Sequence, residues 1–403
     1  MRYVPHTPAD QQALLAAINL PSVEKLFAGL PAKARFGGEL TLPPPLSEPE
    51  LLAELKAQSE KNRPAAAFLG GGNYRHFIPS VVKHLAGRAE FLTAYTPYQA
   101  EASQGILQVI YEYQSLICAL TGLDASNASM YDGATALAEA AFLACRATGR
   151  KKIAVSGAIN PNYRQVLQTY ANGADLELVE TFSHDCSCYL LQQPNFFGCL
   201  EPVSGLAEKI HAAGGLFIVS VDPISLGLLK APGDYGADVA VGEGQSLGNP
   251  QNFGGPGLGF MAVKKALLRR LPGRIVGQTV DHDGRRAYCL TLQAREQHIR
   301  RERATSNICS NEAHCALTAT IYLSAMGKSG LRRVAELCLQ KANYVKKALS
   351  DKLVSPAPTF KEFVIKSVQP VGLDLGGGRR LLCITELATR AELDALISRL
   401  ASS

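Results

Sequence analysis

Between residues 150 and 245 the chain repeats one pattern. A short apolar run without polar alternation is followed by a stretch of helical spacing. The runs are 152–156, 176–180, 189–192, Leu216–Val221 (LFIVSV) and 237–241, and the helical stretches are 161–171 and 203–213. A strand with one wet face alternates apolar and polar residues, whereas a strand covered on both faces does not. The pattern therefore predicts an α/β fold with an open, mostly parallel, doubly wound sheet. Ligands of such sheets bind beyond the strand C-termini.

Around this unit the chain divides into three parts. Residues 1–60 read as an N-terminal arm, with helical patterns at about 8–18 and 47–61 flanking Pro43, Pro44 and Pro45. Ser47 with Glu50 fits a capping box at the second helix. An arm with so little core of its own is expected to wrap another domain or chain. Residues 61–305 form the large α/β domain. Residues 306–403 form a smaller C-terminal α/β domain: helical over 306–350 with Gly327 and Gly330 interrupting, then strand, strand and helix.

A 47% hydrophobic fraction against 19% charged supports a large core and excludes disorder. The net charge of +6 is scattered, its tightest cluster being Arg300, Arg301 and Arg303. No basic stripe is interleaved with aromatics, so a nucleic-acid partner is not expected. No run of about eighteen apolar residues suggests a membrane span. The first six residues lack the apolar segment of a secretory signal. The ten cysteines are accordingly expected as reduced thiols in a cytoplasmic protein. His184, Cys186, Cys188 and Cys199 could bind zinc, but the Cys-x-Cys spacing favours small buried core thiols.

Four stretches carry candidate chemistry. Phe68 to Val82 (FLGGGNYRHFIPSVV) has three consecutive glycines, which either form a turn or bring backbone N–H groups to an anion. Tyr95, Thr96, Pro97, Tyr98 and Gln99, with Ser103 beyond, make a rigid polar turn that could line a cleft or simply pack. Ser129, Asp132, Gly133 and Thr135 precede a helix whose N-terminus could seat a phosphate, with Asp132 equally suited to be its N-cap. Asp222 ends the LFIVSV run, where a pyridoxal-phosphate enzyme places the acid that contacts the pyridine nitrogen. Such an enzyme also needs a Schiff-base lysine nearby. No lysine occurs between Lys230 and Lys264.

At these residues a resemblance becomes specific. FLGGGNYRHFIP, EFLTAYTPYQAEASQGILQ, NASMYDGATALAEA, GGPGLGFMAV and RERATSNICSNEA resemble the glycine-cleavage P-protein, in order and over nearly the whole chain. RYVPHT and ITELATRAELDAL fit the α subunit of its two-chain form. The resemblance implies the pyridoxal-phosphate type I fold, like that of aspartate aminotransferase. Matching Gly254-Gly255-Pro256-Gly257 to the family's Gly-rich segment places Gln245 at about the lysine position. Glutamine cannot form an imine, so the resemblance implies that no cofactor is held covalently here and that pyridoxal phosphate sits in a β partner. Ser129, Asp132, Gly133, Thr135, Asp222 and Gln245 would then be a vestigial cofactor pocket. None of this chain's residues is expected to be catalytic, nor to hold a metal, and the chain alone is expected to be inactive. Tyr95 to Gln99 and Ser103 would line the substrate channel or the interface. The implied assembly is αβ or α2β2. The implied reaction decarboxylates glycine and passes its aminomethyl group to the lipoyl group of H-protein, which Arg300, Arg301 and Arg303 could help to dock. The alternative is a purely structural or regulatory partner.

Overall fold

The structure, a computed structural model, describes residues 5–38, 40–62, 68–92, 94, 96–304 and 306–401. The chain divides into two compact units, Met1–Ala65 and Ala66–Ser403. The first contains helices α1 (Pro8–Ala17) and α2 (Glu48–Ser59), neither with a buried residue. Each starts on a capping box. Thr7 N–H donates to Asp10 at 2.8 Å, and Ser47 N–H donates to Glu50 at 2.8 Å, as the Ser47 pattern requires.

In the second unit α3 (Ser80–Ala86) and α4 (Gln104–Thr121) lead to β1 (Ala125–Ser126) and α5 (Gly133–Thr148). Then follow β2 (Lys152–Val155), α6 (Pro161–Gly173), β3 (Glu177–Val179), β4 (Cys186–Gln193), α7 (Leu206–Ala212), β5 (Leu216–Val221), β6 (Val239–Glu243) and β7 (Gly259–Val263). These strands make one seven-stranded sheet in the order β1-β7-β6-β5-β4-β2-β3. The five from β6 to β3 are parallel, and β7 and β1 are added antiparallel at one side. The absence of polar alternation follows from coverage of both faces. Phe217, Val219 and Val221 of β5 pack with Tyr113 of α4 and Tyr322. Ile218, pointing the other way, packs with Leu137 and Ala141 of α5.

The hairpin β8 (Ile275–Val280) and β9 (Arg286–Thr291) is followed by the short α8 (Gln297–Arg300). α9 (Ala313–Ala348) is broken at Gly327, whose φ of 59° and ψ of −176° are not helical. The three-stranded antiparallel sheet of β10 (Glu362–Lys366), β11 (Leu373–Gly376) and β12 (Arg379–Cys383) has order β10-β12-β11, and α10 (Arg390–Ala401) buries Leu393, Leu396 and Leu400 against it.

Three sequence expectations shift. Residues 306–312 are not helical, because their backbone is tied sideways: Cys309 N–H donates to the Tyr131 hydroxyl (2.9 Å) and Glu312 N–H to the Ser129 hydroxyl (2.9 Å). The strand expected at 189–192 begins at Cys186, since Cys186, Ser187 and Cys188 are fully buried in it. The small sheet has a third strand. Among the described residues no helix is long and apolar enough to cross a membrane.

Candidate functional site

β5 and β6 are parallel neighbours, with Ser220 opposite Val241, so Asp222 and Glu243 emerge side by side at the C-terminal edge of the sheet. Asp222 Oδ2 is 2.7 Å from the Lys361 ammonium, whose side chain is 1% exposed. Lys361 lies immediately before β10 of the three-stranded sheet. Its Nζ is also 3.0 Å from His76 Nε2 and 3.5 Å from the centre of the Tyr74 ring. Burial is the largest single influence on the lysine and pulls it toward neutrality, but the charge and hydrogen bond of Asp222 together with Cys383 and Cys338 outweigh it and hold the ammonium protonated.

His76 Nδ1 lies 2.7 Å from the Glu386 carboxylate. Burial and the Lys361 charge hold the imidazole below its ordinary pKa, hence neutral. One proton arrangement satisfies the chain: Lys361 donates to His76 Nε2, and His76 Nδ1–H donates to Glu386. Burial pushes Glu386 up, but the hydrogen bonds from His76 and Phe77 N–H hold it below its ordinary value.

Glu362, the next residue along, takes the Gly71 N–H on Oε1 (2.7 Å) and the Tyr74 hydroxyl on Oε2 (2.7 Å). Burial raises it to about 7. The Gly70-Gly71-Gly72 segment wraps this carboxylate. A Cβ at Gly70 would lie 2.0 Å from Glu362 Oε1, and Gly71 and Gly72 have φ of +88° and +118°. The three glycines do present an N–H to an anion, and the anion belongs to the protein itself.

The helix expected to seat a phosphate is α5. Asp132 caps it: its Oδ1 accepts the Thr135 N–H (2.7 Å), and Asp132 N–H donates to the Thr135 hydroxyl (3.2 Å). Gly133 N–H, at the first turn, donates to Glu243 Oε2 (3.0 Å). Glu243 Oε1 accepts from Gln245 N–H (2.8 Å) and Leu258 N–H (2.7 Å). Burial, aided by the Asp132 charge, keeps this carboxyl above its ordinary value although the three N–H groups pull it down. Gln245 is 3% exposed; its Oε1 accepts the Tyr74 N–H (3.0 Å) and its Nε2 donates to the Asn249 carbonyl (2.7 Å). Tyr74, Asn160, Tyr163, Gln192, Asp222 and Glu243 line a cavity of about 30 Å³, room for one or two waters.

Ser129 does not line this cavity. Its backbone sits at φ +122° and its hydroxyl anchors Glu312 N–H, the residue just before α9. The polar turn is also separate. Tyr95 lies outside the described residues. Thr96 is half-buried, Pro97 and Ser103 are buried, and Tyr98 and Gln99 are exposed. Tyr98 donates to Glu296 at 3.4 Å, and the Arg274 guanidinium lies 5.7 Å from its ring centre. Arg274 is 6% exposed and gives a hydrogen bond to the Cys309 carbonyl (2.8 Å), with no carboxylate partner among the described residues.

His184 is exposed while Cys186 and Cys188 are buried in β4. Among the described residues the His, Cys and acidic side chains that converge closely enough for a metal are His76, Cys338 and Glu386. There Glu386 already takes the His76 hydrogen bond, and Lys361 stands 3.0 Å from His76, so the group works as an ion-pair network.

His76 and Glu386 lie within the stretches FLGGGNYRHFIP and ITELATRAELDAL without a role assigned to them, and Lys361, Glu362 and Glu243 lie in none of the quoted motifs. The one signal is that Lys361 and Glu362 interrupt an otherwise apolar strand, TFKEFVIK, where unpaired charges would be costly.

An acid at the end of β5, a capped helix N-terminus beside it and a Gly-rich segment after β6 define a member of the type I pyridoxal-phosphate fold. At 11% and 14% identity, a sphingosine-1-phosphate lyase of Burkholderia pseudomallei (TM-score 0.66, 93% of this chain and 94% of that one) and a cystine C-S lyase (TM-score 0.59, 84% and 98%) share that fold alone. The chain belongs to the glycine cleavage system P-protein family, whose model matches residues 1–374. A crystal structure of glycine decarboxylase (P-protein) in inhibitor-bound form superposes with a TM-score of 0.93 at 43% identity, covering all of both chains. A probable glycine dehydrogenase (decarboxylating) subunit 1 of Moorella thermoacetica is 54% identical over 99% of this chain and 98% of its own. A second, from Desulforamulus reducens, is 48% identical over 99% of each.

Proposed function

We propose that this chain is the lysine-free subunit of a two-chain glycine dehydrogenase, and that it works as a complex with a homologous, lysine-bearing partner in the glycine cleavage system. The observation that carries this reading is Gln245. It occupies the end of the β6 segment, where a Schiff-base lysine is needed, and both ends of its amide are engaged with the protein. Lys361, the lysine beside Asp222, is committed to an ion pair as an ammonium and is no nucleophile. The residues of this pocket do not fit pyridoxal phosphate, which belongs in the partner and supplies there the electron sink for loss of the glycine carboxylate.

This chain's own contributions are positional. α1 and α2 expose Leu14, Leu51, Leu52 and Leu55, an apolar surface suited to clasping the partner. The stretch from Tyr95 to Gln99, whose Tyr98 ring lies 5.7 Å from the buried Arg274 guanidinium, lines the substrate channel or the interface. Arg300, Arg301 and Arg303 are exposed together and offer an acidic surface of lipoylated H-protein a docking patch. The assembly is αβ or α2β2, in the cytoplasm.

The test is glycine-dependent release of carbon dioxide with lipoylated H-protein, measured on this chain, on the partner and on the two together. Turnover by the pair alone supports the reading. Turnover by this chain alone refutes it.

A further inference from the structure

The pocket beside Asp222 contains two charges that motif and fold do not explain. One is the Glu243 carboxyl, at a helix N-terminus; the other is the Lys361 ammonium, on the partly buried Asp222. They stand where a type I pocket would receive the two charged ends of pyridoxal phosphate: the phosphate on the helix N-terminus, the protonated ring nitrogen on the acid. We infer that this pocket is closed by charge mimicry, Glu243 standing in for the phosphate and Lys361 for the pyridinium nitrogen, so that it is a fixed ion-paired core and not a ligand site. The inference rests on reading Asp222 and α5 as the former cofactor pocket.

The hydrogen bonds match that description at both ends. Glu243 gathers three backbone N–H groups, from Gly133, Gln245 and Leu258, as a phosphate at the first turn would. Lys361 gives Asp222 the charge-assisted bond that a ring N–H would give, at 2.7 Å, and places its ammonium 3.5 Å from the centre of the Tyr74 ring. The cavity left beside Asp222 and Glu243, about 30 Å³, admits water and no aromatic ring. An empty pocket would strand the partly buried Asp222 carboxylate and leave the Gly133, Gln245 and Leu258 N–H groups unpaired, both costly. Filling it from the chain removes both costs without a ligand. A lysine restored at position 245 would therefore find no seat for the cofactor.

The test uses the assembled complex. Each form is incubated with pyridoxal phosphate, reduced with borohydride and mapped by peptide mass spectrometry, so glycine turnover does not enter the readout. Gln245→Lys should leave this chain unlabelled, whereas Gln245→Lys with Glu243→Ala and Lys361→Met should label it at position 245. Labelling of the Gln245→Lys single variant would overturn the inference. Should the triple variant not fold, Glu243→Ala alone decides: its melting midpoint should fall and recover by about 4 °C or more in inorganic phosphate, with no such recovery in the unaltered complex. A variant whose midpoint ignores phosphate would contradict an anion seat at Gly133.

Discussion

Lys361 and Glu362 are adjacent in sequence and meet opposite electrostatic fates. Lys361 keeps its charge because Asp222 is 2.7 Å away; removing it leaves a largely shielded carboxylate, 11% exposed, without its counter-ion. Lys361→Ala should therefore destabilise the chain by about 3–5 kcal/mol, measured by chemical denaturation, and Asp222→Asn by less, because an amide can still accept from the ammonium. Glu362 is buried without a cation on its oxygens, and its folded pKa of about 7 stands above the ordinary 4.5. The folded state then binds a proton more readily than the unfolded state. The stabilisation is complete below about 4.5 and is lost as pH rises through about 7, roughly 3 kcal/mol in all. Glu362→Gln should flatten that part of the midpoint-versus-pH curve; an unchanged slope would place the titration elsewhere. Glu386, held below its ordinary 4.5 by hydrogen bonds, acts in the other direction, its contribution present above about 4.5 and lost as pH falls below that.

At the scale of elements, the parallel strands were legible because burial on both faces writes itself as unbroken apolar runs, LFIVSV being the clearest. Helix starts were legible where capping chemistry is local, as at Ser47 with Glu50. The hairpin β8–β9 went unread although Asp283-Gly284 marks its turn, because one of its strands runs Gly277, Gln278, Thr279, with little apolar signal. The start of α9 was misplaced because the ties that hold residues 309–312 come from Ser129 and Tyr131, far away in sequence. In the site, Asp222, Gly133 and Gln245 were readable from strand ends and motif, whereas Glu243 and Lys361 acquire meaning only from partners that the fold supplies. Close approach gives one element-level test. A Cβ at Gly198 would lie 2.0 Å from the Glu362 carbonyl oxygen, at a φ of +82°. Gly198→Ala should cost about 1–3 kcal/mol of stability, and a neutral result would mean that β10 can shift away. The arm gives another. Deleting residues 1–60 should abolish the complex with the lysine-bearing partner while leaving the remaining chain folded by circular dichroism; retention of the complex would place the interface elsewhere.

The whole molecule is a P-protein family chain; the proposal that its pocket is held by its own charges while a partner does the chemistry makes separable predictions. Its surface roles can be separated from that claim. Arg301→Glu should lower turnover with H-protein about tenfold, mainly through a raised KM, while leaving the complex intact; unchanged kinetics would remove the docking patch. The central claim is narrower: the complex holds its cofactor on the partner and not on this chain. Borohydride reduction of the native complex, followed by peptide mapping of both chains, asks this directly. The account predicts the phosphopyridoxyl group on a lysine of the partner alone. Its appearance on a lysine of this chain, Lys361 above all, would contradict it.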